Sequence, residues 1–116
     1  VEDANNTERT DGWGATPLLY AASGGQPTTF AYLMGKGANP RAKDGKGLTL
    51  VHAAAISGNN EILAKTLALG LNVNARYDEH GATPLDWAIA RKDGTAADTL
   101  RAAGAKMRWQ LEALRK

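Results

Sequence analysis

Apolar residues along this chain come in short paired runs rather than in one long stripe. The first run of each pair is small and Ala-rich: Ala21 and Ala22, then Ala53 to Ala55, then Ala88 with Ala90. The second run carries larger side chains: Phe30, Leu33 and Met34; Ile62, Leu63 and Leu67; Ala97 and Leu100. Spacings of i, i+3 and i+4 put the second set on one face, so each predicts a helix with one buried stripe. The small set predicts a short helix that its neighbours can approach closely.

The boundaries of these helices are also written in the chain. Thr16-Pro17 and Thr83-Pro84 place an N-cap hydroxyl before a proline preset for the first helical position. Thr49-Leu50 keeps the cap without the proline. Gly25 and Gly58 break the chain between the two helices of a pair. Gly37, Gly70 and Gly104 stand where a helix ends in a left-handed cap. Asp11-Gly12, Asp44-Gly45 and Asp78-Glu79 turn the chain toward the next pair.

These signals recur. GATPLLYAASGG, GLTLVHAAAISGN and GATPLDWAIARKDG begin at Gly14, Gly47 and Gly81, spaced 33 and then 34 residues apart. GKGANPRAKD, ALGLNVNARYD and RAAGAK follow, and their Gly37, Gly70 and Gly104 keep the same spacing. Two independent markers with one period identify a repeat protein. The pattern resembles ankyrin repeats, whose units open with G-x-TPLH-x-AA-x-x-G and close with G-A-x-x-N. The TPLH position reads TPLL, TLVH and TPLD here, and the resemblance covers about residues 11–106. The third unit departs most, with Asp86 in place of the His and Lys92 where the mid-repeat Gly would be. Its extra residue falls near Arg76–Tyr77–Asp78, in a predicted loop that tolerates insertion.

The resemblance implies an all-α ankyrin-repeat solenoid of three helix–turn–helix–hairpin-loop units with a C-terminal capping helix. The expected division is a polar N-terminal strand or cap at 1–10, then repeats at 11–43, 44–77 and 78–106, then the capping helix at 107–116. In that last segment Met107, Leu111 and Leu114 at i, i+4 and i+7 predict an amphipathic helix covering the third repeat. About three units is the minimum for such a stack, so the ends need covering.

Composition narrows the function classes. A chain of 116 residues makes one domain, and 43% hydrophobic against 22% charged residues excludes a disordered one. The absence of cysteine excludes disulfides, thiolate catalysis and Cys-ligated zinc. No apolar run approaches the roughly 18 residues of a membrane span. Val1 in place of Met implies that a tag or targeting segment was removed, which leaves a soluble protein of the cytoplasm, the periplasm or the exterior open. Net charge is +2, and the excess sits on the tail, where Lys106, Arg108, Arg115 and Lys116 face only Glu112. A nucleic-acid binder more often spreads its cations along a face or groove.

Catalytic patterns are missing. There is no phosphate loop ending in Gly-Lys-Ser/Thr, no H-E-x-x-H and no G-x-S-x-G. His52 holds the last TPLH-type position, where the resemblance implies structural bracing by hydrogen bonds. His80 falls in a loop. Asp86 is expected to replace the bracing His rather than to form a base couple with His80, since no nucleophile accompanies them. The expectation is therefore no enzyme, no metal and no cofactor.

What the resemblance implies instead is protein binding on the concave side, built from hairpin tips and first helices. The family's contact positions fall here on Trp13 and Ser23 in the first unit. In the second they are Lys43, Lys46, Leu48, Ile56 and Ser57, and in the third Arg76, Tyr77, Glu79, His80 and Arg91. Trp13 and Tyr77 are large aromatics in predicted exposed loops, and such residues are enriched at binding hot spots. Tyr77 is read as a contact residue. For Trp13, contact and shielding of the first repeat are both open, as are capping and anchoring for Trp109. Trp87, inside a first helix, is read as packing. The expected partner is another protein, bound by a monomer or in a one-to-one complex, with the chain acting as an inhibitor, immunity factor or adaptor. The alternatives are a binder of nucleic acid or an anionic surface through the basic tail, and a small enzyme of unrecognised class.

Overall fold

Thr16, Thr49 and Thr83 start three helices in one geometry. Each has an extended backbone, and each hydroxyl oxygen accepts the N–H three residues on: Leu19 at 3.3 Å, His52 at 3.3 Å and Asp86 at 3.2 Å. A side chain thereby satisfies one N–H that the helix itself leaves unpaired. The computed structural model describes residues 16–113. Trp13 and Leu114 lie outside the described residues.

The three capped helices are α1 (Pro17–Ser23), α3 (Leu50–Ala55) and α5 (Pro84–Ala90). Each is followed by a partner: α2 (Pro27–Gly35), α4 (Asn60–Leu67) and α6 (Gly94–Ala102), and α7 (Arg108–Ala113) ends the described chain. α1 packs on α3 and α3 on α5, forming one layer, while α2, α4 and α6 form a second layer with looser mutual contact. Ala53, Ala54, Ala55 and Ala88 are buried within the first layer. A larger side chain at these sites would push the helices apart. Between the layers lie Leu18, Leu19, Phe30, Leu50, Ile62, Leu63, Leu85 and Leu100, all buried. Met34 and Leu67 of the predicted stripes pack half-buried against this core. The all-α solenoid expected from the sequence is the fold observed.

Between the two helices of a unit the chain passes through a left-handed residue at Gly25, Gly58 and Lys92, with φ of 67°, 69° and 59°. Lys92 thus takes the conformation that glycine supplies in the other two units. At Gly25 glycine is needed twice over, because a Cβ there would stand 2.7 Å from the Ser57 carbonyl oxygen of the next unit.

The hairpin loops locate the extra residue. Asn39 and Asn72 each accept an N–H two residues on through Oδ1, from Arg41 and Asn74, in turns 33 residues apart. Asp44 and Asp78 do the same for Lys46 and His80, 34 residues apart. The added residue therefore falls between Asn74 and Asp78.

The C-terminal helix forms as expected, with polar bonds added to its apolar contact. No described side chain of α7 is buried; Met107 packs against the core and Leu111 is half-buried. Polar bonds dock the segment as well. Lys106 N–H donates to Asn74 Oδ1 at 2.7 Å, Thr83 Oγ1–H to the Lys106 carbonyl at 2.7 Å, and Arg108 N–H to Asp86 Oδ2 at 3.0 Å. A helix this short offers little apolar area, while the end of the third unit presents polar groups that need partners.

Candidate functional site

The row of hairpin tips and first-helix ends is held by its backbone and by short polar side chains. In the second loop Asp44 Oδ1 accepts the N–H of Lys46 and of Leu48, both at 2.9 Å. In the third, Tyr77 N–H donates to the Ala82 carbonyl at 2.8 Å and Asp78 Oδ1 accepts His80 N–H at 2.8 Å. The two loops join tip to tip through Asp78 N–H and the Lys46 carbonyl at 2.6 Å. These bonds are made without the side chains of Lys43, Lys46, Glu79 and His80.

Lys43, Lys46, Glu79, His80 and Arg91 are exposed. Leu48 and Ile56 are half-buried, and Leu48 packs against the core. Two serines are partly used by their own turns. Ser57 Oγ–H donates to the Ala54 carbonyl at 2.7 Å and the oxygen accepts Asn59 N–H at 3.0 Å; Ser23 Oγ–H reaches the Tyr20 carbonyl at 3.3 Å. Arg76 is exposed but braced: its Nη2 stands 3.3 Å from Glu112 Oε1, and its guanidinium lies over the bare face of Gly81, where a Cβ would clash.

Tyr77 is not the exposed loop aromatic that its position predicts. It is half-buried, with its ring 4.8 Å from Trp87 in an edge-to-face arrangement and 5.9 Å from His52. Trp87 in turn meets His52 at 4.8 Å, so it packs between units as expected. Trp109 is 62% exposed on α7.

His52 braces the second unit against the third. It is fully buried, and its Nε2–H donates to the Ala82 carbonyl at 2.9 Å. A carbonyl can only accept, so Nε2 carries the proton, and Nδ1 accepts from the Thr49 hydroxyl at 3.0 Å. Burial pushes its pKa below the ordinary histidine value; the Ala82 bond and the Asp44 and Asp86 carboxylates oppose this less strongly. Asp86, at the matching position of the third unit, accepts Thr83 N–H at 2.8 Å and Arg108 N–H at 3.0 Å. It braces the C-terminal segment as His52 braces the third unit.

Two residues at the site escape a reading by family position. Arg41 sits beside Lys43 on the second hairpin, outside the stretch that flanks the G-x-T motif. Ile89 is 37% exposed, although Ala22 and Ala55 in the same register are buried. A large apolar residue where the other units have Ala was the available signal.

Among the described residues, Glu61, Asp98 and Glu112 face cations, while Asp44, Asp78, Asp86 and Asp93 accept backbone N–H groups. Arg41, Lys43, Lys46, Arg91 and Lys92 have no ion pair within that set.

A family model described as ankyrin repeats matches in three copies, over residues 2–63 and 18–108. The chain is 38% identical over 77 residues to mouse (Mus musculus) NF-kappa-B inhibitor delta, a match spanning 66% of this chain and 24% of that protein. It is 37% identical over 88 residues to Rabankyrin-5 of the same species, covering 75% of this chain and 7% of the relative. A bovine (Bos taurus) inactive serine/threonine-protein kinase, TEX14, matches at 42% over 77 residues, which is 66% of this chain and 5% of the relative. The chain therefore spans under a quarter of the length of each.

Proposed function

Since this chain belongs to the ankyrin-repeat family, we propose that it is a non-catalytic module binding another protein across its hairpin tips and first-helix ends. Ankyrin repeats are generally protein–protein interaction modules, and the family is generally non-catalytic. One observation carries the reading to particular residues. The loop backbones satisfy one another, so among the described residues the side chains of Lys43, Lys46 and Arg91 take no part in the scaffold, and those of Glu79 and His80 meet each other at 3.8 Å. Half-buried Ile56 adds apolar area beside them. A flat stacked row of this kind suits recognition of an extended protein surface. On this reading it acts by occlusion, as an inhibitor, immunity factor or adaptor.

The test is affinity capture with mass spectrometry, run in parallel with the wild type and an Ile56→Asp, Arg91→Glu double variant of unchanged melting temperature. A partner retained by the wild type and lost from the variant supports the assigned face. If the same partners bind both proteins equally, binding lies elsewhere. A steep loss of affinity with added salt, together with dependence on the last residues, would favour the basic tail instead.

A further inference from the structure

A groove runs between the second and third hairpin loops. Its apolar wall is Pro40, Leu71 and Ala75, each half-buried, and exposed Arg41 and Lys43 stand at its rim. Its volume is about 230 Å³. That holds a side chain or two, below the roughly 300–1,000 Å³ of clefts that take small molecules or cofactors. Neither rim cation has an ion pair among the described residues, whereas nearly every carboxylate there is held by a cation or a backbone N–H.

We propose that this groove takes an extended acidic segment of the partner protein, with one apolar side chain on Pro40, Leu71 and Ala75 and carboxylates against Arg41 and Lys43. Charge complementarity selects that occupant. Among the described residues these cations are unpaired beside an apolar wall, and an acidic-apolar segment matches both at once. Nucleic acid fits less well. Among the described residues no aromatic ring lines the groove for a base to stack on, whereas its apolar wall suits a side chain. This inference rests on the protein-binding reading and adds the partner's chemistry to it.

Fluorescence anisotropy with a labelled peptide of alternating glutamate and leucine tests it directly. Saturable binding is expected. It should weaken on the order of tenfold in the Arg41→Glu, Lys43→Glu variant, as two reversed surface pairs allow. The same variant should gain affinity for the matched lysine–leucine peptide. A Lys36→Glu, Lys65→Glu variant of equal net charge should bind the acidic peptide like the wild type. Circular dichroism confirms folding, and Arg41→Gln, Lys43→Gln serves if the reversal does not fold.

Equal weakening in both reversal variants would overturn the groove, since net charge alone would explain it. So would equal binding of a glutamate–serine peptide, or displacement of the peptide by a single-stranded oligonucleotide at lower concentration. A partner lost on Ile56→Asp, Arg91→Glu but kept on Arg41→Glu, Lys43→Glu would leave the module reading intact and remove the groove from it.

Discussion

His52 links the second and third units through one buried side chain. The neutral ring donates from Nε2 and accepts at Nδ1, and both partners are arranged for that form. Its folded pKa lies below the unfolded value of 6.5. Between those two values the unfolded chain binds more protons than the folded one, so stability rises with pH there. The contribution is complete above the unfolded value and is lost as pH falls through the folded one. Urea midpoints taken from about pH 8 down to about pH 5 should therefore fall in the wild type, before carboxylate titration dominates. His52→Ala should flatten that descent. It should also cost about 2–4 kcal/mol, through the cavity and the orphaned Ala82 carbonyl. An unchanged pH profile in the variant would show that another group drives it.

At the scale of the element, the threonine-capped helices behave alike at their starts and differ in what their third residue holds. In α5 that residue is Asp86, which completes a capping box with Thr83 and also accepts Arg108 N–H from the C-terminal segment. Asp86→Ala should lower stability by about 1–2 kcal/mol through the cap alone. Its more telling effect should be faster amide hydrogen exchange across residues 106–113, with α3 and α4 unaffected. Exchange rising evenly over the whole chain would show that α7 is held some other way. The cap was legible in the sequence, because Thr83-Pro84 is a local signal. The bond to Arg108 was not, because it joins residues 22 apart. The apolar spacing of Met107 and Leu111 pointed to a hydrophobic cap, and Met107 does pack against the core; the bonds of the tail to Asn74, Thr83 and Asp86 are the part that spacing does not carry.

For the molecule as a whole, stability depends on each unit covering the next. The first two units come close at Gly25, whose missing Cβ leaves room for the Ser57 carbonyl. Gly25→Ala should cost about 1–2 kcal/mol from the left-handed backbone, with more from the contact itself. Hydrogen exchange should then quicken in α1 and α2 before α5 and α6; equal acceleration in all units would mean the stack opens only as one piece. The sequence by itself determined the repeat period, the helix starts at Thr16, Thr49 and Thr83, and the glycine breaks. Each of these is set by a residue's own backbone preference and its neighbours within a turn, so each survives reading one segment at a time. Only the tertiary structure decided that the Tyr77 ring packs with His52 and Trp87, that Arg76 is braced by Glu112, and that Arg41 and Lys43 edge a groove. Those outcomes depend on which side chains from other units arrive within contact distance, and stacking sets that.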